Sequence, residues 1–265
     1  RNNLFSAGCR YANTVVTGSE WVKRDLLNHY AIHASRIQVI PWAPPTQAYR
    51  EPSSEILNDV KKNYSLPETF GFYPAFTWAH KNHLRLIDAI AKLRDRDGLN
   101  VNLVFVGART SFSERIDRQI SGHNLGNQIL ALGEVSTEVL RALYSLAQFV
   151  VVPSLFEAAS GPMFEAWQDG VPVACSNVTS LPEQAADAAL IFDPLSVDSI
   201  AAAIKKIATE AELRQELILR GEKRLKDFSW DRTARAYRAV YRRAAGVNLT
   251  EEDQHLLNWD WMKKK

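Results

Sequence analysis

One segment of the sequence, from Pro153 to Glu165, combines residues that suit the binding of a phosphorylated sugar. Proline favours the first position of an α-helix, so Pro162 predicts a helix start whose free N–H groups, that of Met163 among them, can face an anion. Glu165 then falls in the first helical turn, where its ionised carboxylate can accept hydrogen bonds from the vicinal hydroxyls of a ribose. Glu157, before the helix, can reach another part of the same ligand. The residue types leave an alternative open, in which Glu157 and Glu165 are exposed glutamates near a helix start and bind no ligand.

A second segment, from Pro74 to His83, follows a predicted strand and places a lysine beside a helix start. Asn82 is a suitable N-cap, and Lys81 adds a full positive charge to the positive end of the helix dipole, which suits a diphosphate. A solvated surface lysine is the alternative. His80 and His83 could form a metal-binding pair, but no third ligand lies at a suitable spacing, and we predict no metal site.

A third segment begins at Gly107, directly after another predicted strand. Glycine allows a backbone to approach a bound group closely. Arg109, two residues later, is a candidate phosphate contact, with a solvated arginine as the alternative.

The elements that position these segments follow from an alternation of apolar β-branched runs and helical patterns. Predicted strands cover 14–17, 37–40, 70–73, 101–107, 129–131, 149–152, 171–174 and 189–192, with helices between them and three more at 196–209, 211–226 and 230–244. This order indicates βαβ units, and therefore a doubly wound parallel α/β sheet over 54–228. Ligands of such sheets bind outside the carboxyl ends of the strands, which is where the three segments lie.

The chain divides into three predicted regions. Residues 1–45 are expected to be the end of a preceding α/β domain, leading into a linker. Residues 46–245 form the ligand-binding domain, and 246–265 a polar and aromatic tail. The sequence begins at Arg1, and we expect it to be part of a longer protein. The tail residues Trp259 and Trp261, followed by three lysines, suit an anionic membrane surface, with packing against the protein as the alternative.

Composition excludes several classes of protein. The 265 residues are 46% hydrophobic and 23% charged, which is typical of a globular chain and not of a disordered or disulfide-stapled one. The net charge of +2, without a basic stripe, argues against a nucleic-acid partner. Two cysteines far apart, Cys9 and Cys175, indicate a reducing compartment, so we expect a cytoplasmic protein, with peripheral membrane contact left open.

Taken in order, these motifs resemble glycosyltransferase family 4, the retaining GT-B enzymes that use nucleotide sugars. The E-x7-E motif of that family is similar to Glu157 through Glu165, and the family's EAxxxGxPV segment to residues 165–173. Further similar segments are Ser180-Leu181-Pro182-Glu183, Ala188 through Pro194, His80-Lys81-Asn82, Gly133-Glu134-Val135-Ser136, and Thr17 through Pro41. The resemblance covers nearly all of residues 12–243. It implies the Rossmann-like C-terminal, donor-binding domain of a GT-B fold, preceded by the end of the acceptor domain.

The resemblance also implies roles for individual residues. Lys81 would neutralise the donor diphosphate, Glu165 would bind the ribose, and Glu157 would contact the transferred hexose, so that Lys81 and Glu157 are the predicted catalytic residues. The predicted donor-binding residues are Lys81, Gly107, Gly133, Val135, Glu157, Ser160, Gly161, Pro162, Met163 and Glu165. The expected partners are a nucleotide sugar and, through the acceptor domain, a saccharide or lipid-linked acceptor; no metal or other cofactor is expected.

The sequence departs from the family pattern at two places. The arginine that many members carry six residues before the lysine is Ala75 here, so a second cation would have to be Arg85 or Arg109, or would be absent. The usual Gly-Phe-Gly-Leu is replaced by Ala158-Ala159-Ser160-Gly161. Two other hypotheses stay open: a nucleotide-sugar epimerase of GT-B fold, and a non-catalytic nucleotide-sugar-binding module.

Overall fold

The computed structural model of the protein describes residues 2–44 and 51–261. Residues 45–50, at the predicted boundary between the first two regions, and the last four residues, 262–265, lie outside the described residues. Within the two described ranges the chain forms eight strands: β1 (Val15–Thr17), β2 (Ile37–Val39), β3 (Gly71–Pro74), β4 (Leu103–Val106), β5 (Ile129–Ala131), β6 (Phe149–Val152), β7 (Val173–Ser176) and β8 (Ala189–Phe192).

Twelve α-helices accompany these strands in the described parts of the chain. They are α1 (Asn2–Tyr11), α2 (Glu20–His29), α3 (Ser54–Asn63), α4 (His83–Asp97), α5 (Ser113–Gly122), α6 (Thr137–Leu146), α7 (Gly161–Gln168), α8 (Leu181–Ala185), α9 (Val197–Thr209), α10 (Ala211–Leu225), α11 (Trp230–Ala244) and α12 (Glu251–Leu257).

Strands β3 to β8 form one parallel sheet in the order β5-β4-β3-β6-β7-β8. This is the Rossmann-like order, in which the chain moves outward in one direction from β3 and in the other from β6. The predicted doubly wound α/β sheet is thereby confirmed. Gly71 and Phe72 of β3 pair directly with Phe149 and Val150 of β6. The crevice between these two neighbouring strands, outside their carboxyl ends, is the switch point of the sheet.

The sheet is buried on both faces, which explains why its central strand is almost wholly apolar. In β6, Phe149 and Val151 belong to a core shared with α4, α5 and α9. Val150 and Val152 point to the opposite face, into a second core shared with α3, α6 and α7. Successive side chains of a strand alternate between faces, so an apolar residue is required at every position here.

Residues 15–39 form a small parallel unit, in which β1 pairs with β2 and α2 connects them. Part of its contact with the C-terminal helices is apolar, because Val16 and the adjoining Ile40 pack in one cluster with α11, α12 and Trp261. The hydroxyl of Thr233 donates to the carbonyl of Pro41 at 2.9 Å. Since Leu256 and Trp261 are buried here, these apolar side chains of the tail contact the protein itself.

The structure corrects three local expectations, at two strands and one helix cap, and it contains one helix, α1, that the sequence patterns did not predict. The strands expected at 101–107 and 171–174 occupy Leu103–Val106 and Val173–Ser176. Asn82 does not cap α4 with its side chain: its backbone is left-handed, with φ of 62°, and its amide donates to the carbonyls of Pro153 and Pro194, both at 2.9 Å. Asparagine tolerates this backbone conformation better than most residues, and here its side chain holds two distant loops together.

Candidate functional site

The switch point brings together the two segments that the sequence marked most strongly. The loop after β3 carries Lys81 and the loop after β6 carries Glu157, and Lys81 Nζ lies 2.5 Å from Glu157 Oε1. Only 21% of the lysine side chain and 12% of the glutamate side chain are exposed. The two loops are also joined by their backbones, since Leu155 N–H donates to the His80 carbonyl at 2.7 Å. A cation and a carboxylate therefore lie side by side at the edge where such sheets bind ligands.

Tyr73 supports this pair and was not singled out from the sequence. The Tyr73 hydroxyl donates to the Lys81 carbonyl at 2.6 Å and so holds the lysine backbone against the sheet. Burial raises the pKa of Tyr73 well above its ordinary value, the Ser154 hydroxyl opposes this effect, and the charge of Glu157 adds to it. Tyr73 lies in the central strand β3, directly before the loop of Lys81, and this position is the only sequence signal that could have marked it.

The N-terminus of α7 follows the Glu157 loop directly. Gly161 is the first residue of the helix and Pro162 the second, and the side chain of Ser160 makes no capping hydrogen bond. The first N–H groups of a helix have no partner within it, so those of Gly161 and Met163 can receive an anion. The Ser160 backbone is fixed from both sides by the Gln184 amide, which accepts from its N–H at 2.8 Å and donates to its carbonyl at 2.7 Å.

Glu165 lies in the second turn of α7, and the prediction that it occupies the first turn was wrong. The helix begins at Gly161, so the dipole, whose effect falls off within the first turn, favours the ionised carboxylate less than expected. Glu165 acts on two buried neighbours. Burial and then the Glu165 charge raise the pKa of Tyr144. Burial also raises the pKa of Asp169, with Arg141 opposing and Glu165 adding to the rise.

Two glycines lie just beyond neighbouring strands: Gly107 directly follows β4, and Gly133 lies two residues after β5. The Gly107 N–H donates to the Gly133 carbonyl at 2.8 Å. Gly107 has φ of 145°, and a Cβ there would lie 2.3 Å from the Ala75 carbonyl oxygen. Nothing lies within 4 Å of a Cβ built on Gly133, which therefore faces open space. Val135 contributes its side chain to the core beneath this turn. The loops after β3, β4 and β5 thus form one continuous edge.

The two histidines of the first loop differ in environment. His83 is enclosed by the rings of Tyr73 and Phe105, with centroids 4.7 and 5.3 Å away, and both ring nitrogens are buried without a hydrogen-bond partner. Burial, followed by the charge of Lys81, lowers the pKa of His83 to about 3. Burial and Lys81 also lower the pKa of His80, against the charge of Glu157. Within the described residues, no three metal-ligating side chains form a cluster.

The two candidate second cations are both engaged. Arg109 forms an ion pair with Asp117, and both side chains are about half exposed. Arg85 donates to the side-chain oxygen of Asn82 at 3.1 Å, in the first turn of α4. Of the two, Arg85 lies on the helix that starts at the switch point.

A parallel Rossmann-like sheet with a lysine and a glutamate paired at its switch point defines the class: an α/β domain with a ligand site at the carboxyl edge. The family of glycosyl transferases group 1 matches residues 55–224, more than half of the sequence, and the chain belongs to that family.

None of the helices in the described ranges combines the length and apolar character needed to cross a membrane.

Individual relatives agree with this assignment. The chain is 29% identical over 233 residues to the O-antigen chain mannosyltransferase B of Escherichia coli, covering 86% of this chain and 61% of that protein. It therefore spans less than two thirds of that relative. Among solved structures it is similar to a sucrose-phosphate synthase from Thermosynechococcus elongatus, with a TM-score of 0.78, 24% identity and coverage of 92% and 61%. It is also similar to Anabaena HepE in complex with UDP and glucose, with a TM-score of 0.77, 15% identity and coverage of 92% and 66%. The two structures share its fold.

Proposed function

We propose that this chain is the donor-binding part of a retaining glycosyltransferase of family 4, which transfers a hexose from a nucleoside-diphosphate sugar to a saccharide or lipid-linked acceptor. The observation that supports this most directly is the Lys81–Glu157 pair at the switch point, immediately before the N-terminus of α7. The name of the E. coli relative favours mannose as the sugar. The HepE structure, described as a complex with UDP and glucose, supports a nucleotide-sugar ligand for this fold.

The donor would lie along the carboxyl edge of the sheet. Its base would face the Gly107 and Gly133 loops and the backbone of Val135, and Glu165 would hold its ribose. The diphosphate would contact Lys81 and the N–H groups of Gly161 and Met163, because a cation and a helix N-terminus both favour an anion. Ser160 and Pro162 would shape the backbone at this helix start. Glu157 would face the transferred hexose.

In the proposed reaction, the bond between the sugar C1 and the phosphate oxygen breaks while a bond from the acceptor oxygen to C1 forms on the same face. The acceptor proton passes to the leaving diphosphate. Negative charge grows on that leaving group, so the Lys81 ammonium and the oriented N–H groups would stabilise the transition state more than the ground state. No metal ion is needed in this proposal.

A cytoplasmic location belongs to the same proposal, because the two cysteines, Cys9 and Cys175, are free and buried, as suits a reducing compartment. Contact of the whole enzyme with a membrane surface remains part of the proposal, although the apolar side chains of Leu256 and Trp261 pack inside the protein.

Calorimetric titration of the chain with a panel of nucleoside diphosphates tests the proposal. One nucleotide should bind, and Lys81→Ala should weaken its binding by about 10- to 100-fold, the equivalent of about 1.5–3 kcal/mol for a charged contact. The matched control is Lys62→Ala, which removes an exposed lysine on α3 and should leave the affinity unchanged. Equal binding by the parent and Lys81→Ala would contradict the proposed site. Tight donor binding by a longer protein that never transfers the sugar would favour a non-catalytic module.

A further inference from the structure

The first turn of α2 is capped by a carboxylate from a distant part of the chain. Glu183, in α8, accepts the N–H of Glu20 at 2.5 Å and that of Trp21 at 2.9 Å. The hydroxyl of Ser19 accepts the N–H of Val22 at 3.2 Å, so each of these three N–H groups has a side-chain acceptor. A carboxylate is favoured at the positive end of a helix dipole. This cap therefore joins the unit of residues 15–39 to the six-stranded domain.

The segment that carries Glu183 also holds the loop of Glu157. Thr179 Oγ1 accepts the Glu157 N–H at 3.1 Å, and the Ser180 hydroxyl donates to the Glu157 carbonyl at 2.8 Å. Gln184 makes the two hydrogen bonds to the Ser160 backbone described above. The residues immediately around Glu183 thus fix the backbone at both ends of the loop between Glu157 and α7.

The backbone of this supporting segment is itself strained. Thr179 has φ of 55°, in the left-handed region that a β-branched residue rarely adopts. Such conformations persist where the surrounding structure over-determines them, often at functional sites. At Thr179, one of the determining contacts is the hydrogen bond from Glu157.

A second contact links the same two parts of the molecule. The ring of Trp21 meets that of Phe156 edge-on, with centroids 5.6 Å apart, and Phe156 directly precedes Glu157. On the other side of α8, the buried guanidinium of Arg224 donates to the carbonyls of Glu183 and Gln184, both at 2.9 Å. Helix α8 is therefore anchored to α10, while the Glu157 loop lies between α8 and α2.

We propose that Glu183 is a positioning residue for Glu157. By capping α2, it couples the seating of residues 15–39 on the domain to the geometry of the loop that presents the Glu157 carboxylate. The consequence for ligands rests on the proposed function, in which Glu157 faces the sugar and Lys81 the diphosphate. Uncoupling α2 should then disturb recognition of the sugar more than recognition of the nucleotide.

Hydrogen exchange of the ligand-free chain, read by mass spectrometry, tests the coupling without any assumption about function. In Glu183→Ala, peptides covering residues 19–24 and 156–161 should both exchange about fivefold faster, the change expected from losing one helix cap. Glu183→Gln, which keeps one acceptor oxygen, should lie between the parent and Glu183→Ala. The control Glu222→Ala removes an exposed glutamate on α10 and should change neither peptide. Faster exchange at 19–24 alone would overturn the proposal.

A second readout separates positioning from simple loss of structure. Glu183→Ala should weaken binding of the nucleoside-diphosphate sugar at least fivefold more than it weakens binding of the bare nucleoside diphosphate. Trp21→Leu, which removes the ring contact and keeps the cap, should give the same pattern with a smaller amplitude and serves if Glu183→Ala fails to fold. Equal weakening of both ligands would refute the positioning role. A parent chain that binds neither ligand would count against the proposed function, while the exchange result would still decide the coupling.

Discussion

Lys81 and Glu157 form an ion pair across the switch point of the sheet, although 76 positions separate them in the sequence. The cation expected to bind a diphosphate is thus paired with the carboxylate expected to face the sugar. An incoming diphosphate must compete with Glu157 for Lys81. The pair therefore sets both the charge of the site and the position of its lysine.

Glu157→Gln should increase the affinity for a bare nucleoside diphosphate. The substitution releases Lys81 and removes a negative charge beside the phosphates, a gain of about 1 kcal/mol that corresponds to roughly fivefold in Kd. The same variant should not gain affinity for the nucleoside-diphosphate sugar, because the contact with the hexose is weakened. Titration calorimetry with both ligands measures the difference.

The control for that experiment is Glu138→Gln, which neutralises an exposed glutamate at the start of α6. It should change neither affinity. If Glu157→Gln weakened both ligands equally, the carboxylate would be contributing to the architecture of the site and not competing for Lys81.

Gly107→Ala should destabilise the protein and disorder the edge formed by the loops. The new Cβ would meet the Ala75 carbonyl oxygen at 2.3 Å, in a backbone conformation that side chains rarely adopt. A cost of at least about 2 kcal/mol is expected, which lowers Tm by roughly 4–8 °C. Gly122→Ala, at a helical glycine with nothing within 4 Å of its Cβ, should not lower Tm in the same calorimetric scan, because alanine is the better helix former.

His83 should make the stability of the protein sensitive to acid. Its pKa is lowered from 6.5 to about 3, so below pH 6.5 the unfolded chain binds a proton that the folded protein does not. The contribution of His83 to the free energy of unfolding is therefore fully present above pH 6.5 and is lost as the pH falls towards 3. Between pH 7 and pH 5 the loss should be about 2 kcal/mol.

His83→Leu removes this titration while filling a similar volume, and both ring nitrogens lack partners whose loss would cost stability. Urea unfolding at pH 7 and pH 5 should show a smaller decrease for the variant than for the parent. The same decrease in both proteins would mean that the imidazole is not kept neutral by its surroundings.

Removing only one partner of the buried ion pair between Arg141 and Asp169 should strongly lower the free energy of unfolding. Their side chains are only 5% and 8% exposed, and burial raises the pKa of Asp169 even with the guanidinium beside it. Arg141→Met should cost about 3–5 kcal/mol, because it leaves a buried carboxylate without its cation. Adding Asp169→Leu should restore more than half of that loss in urea unfolding.

The exposed pair of Arg235 and Glu252 supplies the comparison, with side chains 48% and 45% exposed. Arg235→Met should change the free energy of unfolding by less than about 1 kcal/mol, because solvent screens the interaction. A similar cost at both sites would show that burial does not amplify the Arg141 pair.

Much of the architecture could be predicted from local patterns. Apolar runs marked every strand of the large sheet, and Ser19 and Ser136 cap their helices, as serine commonly does. These features depend on neighbours within a few positions, so a local pattern suffices. Because parallel strands end at a common edge, the loops carrying Lys81, Gly107 and Glu157 could also be assigned to one side of the sheet before any contact was known.

The tertiary structure decided which of those residues contact one another and which hydrogen bonds fix their loops. The pairing of Lys81 with Glu157 follows from β3 lying next to β6, a neighbour relation that no local pattern encodes. The same is true of Asn82, whose amide bridges two loops instead of capping its own helix, and of Glu183, whose carboxylate caps a helix 163 positions away. Sequence alone determined most of the elements and the edge at which chemistry could occur, because periodicity is a short-range effect. The contacts within that edge depend on strand order and on side chains brought together from distant parts of the chain, and only the folded molecule supplies those.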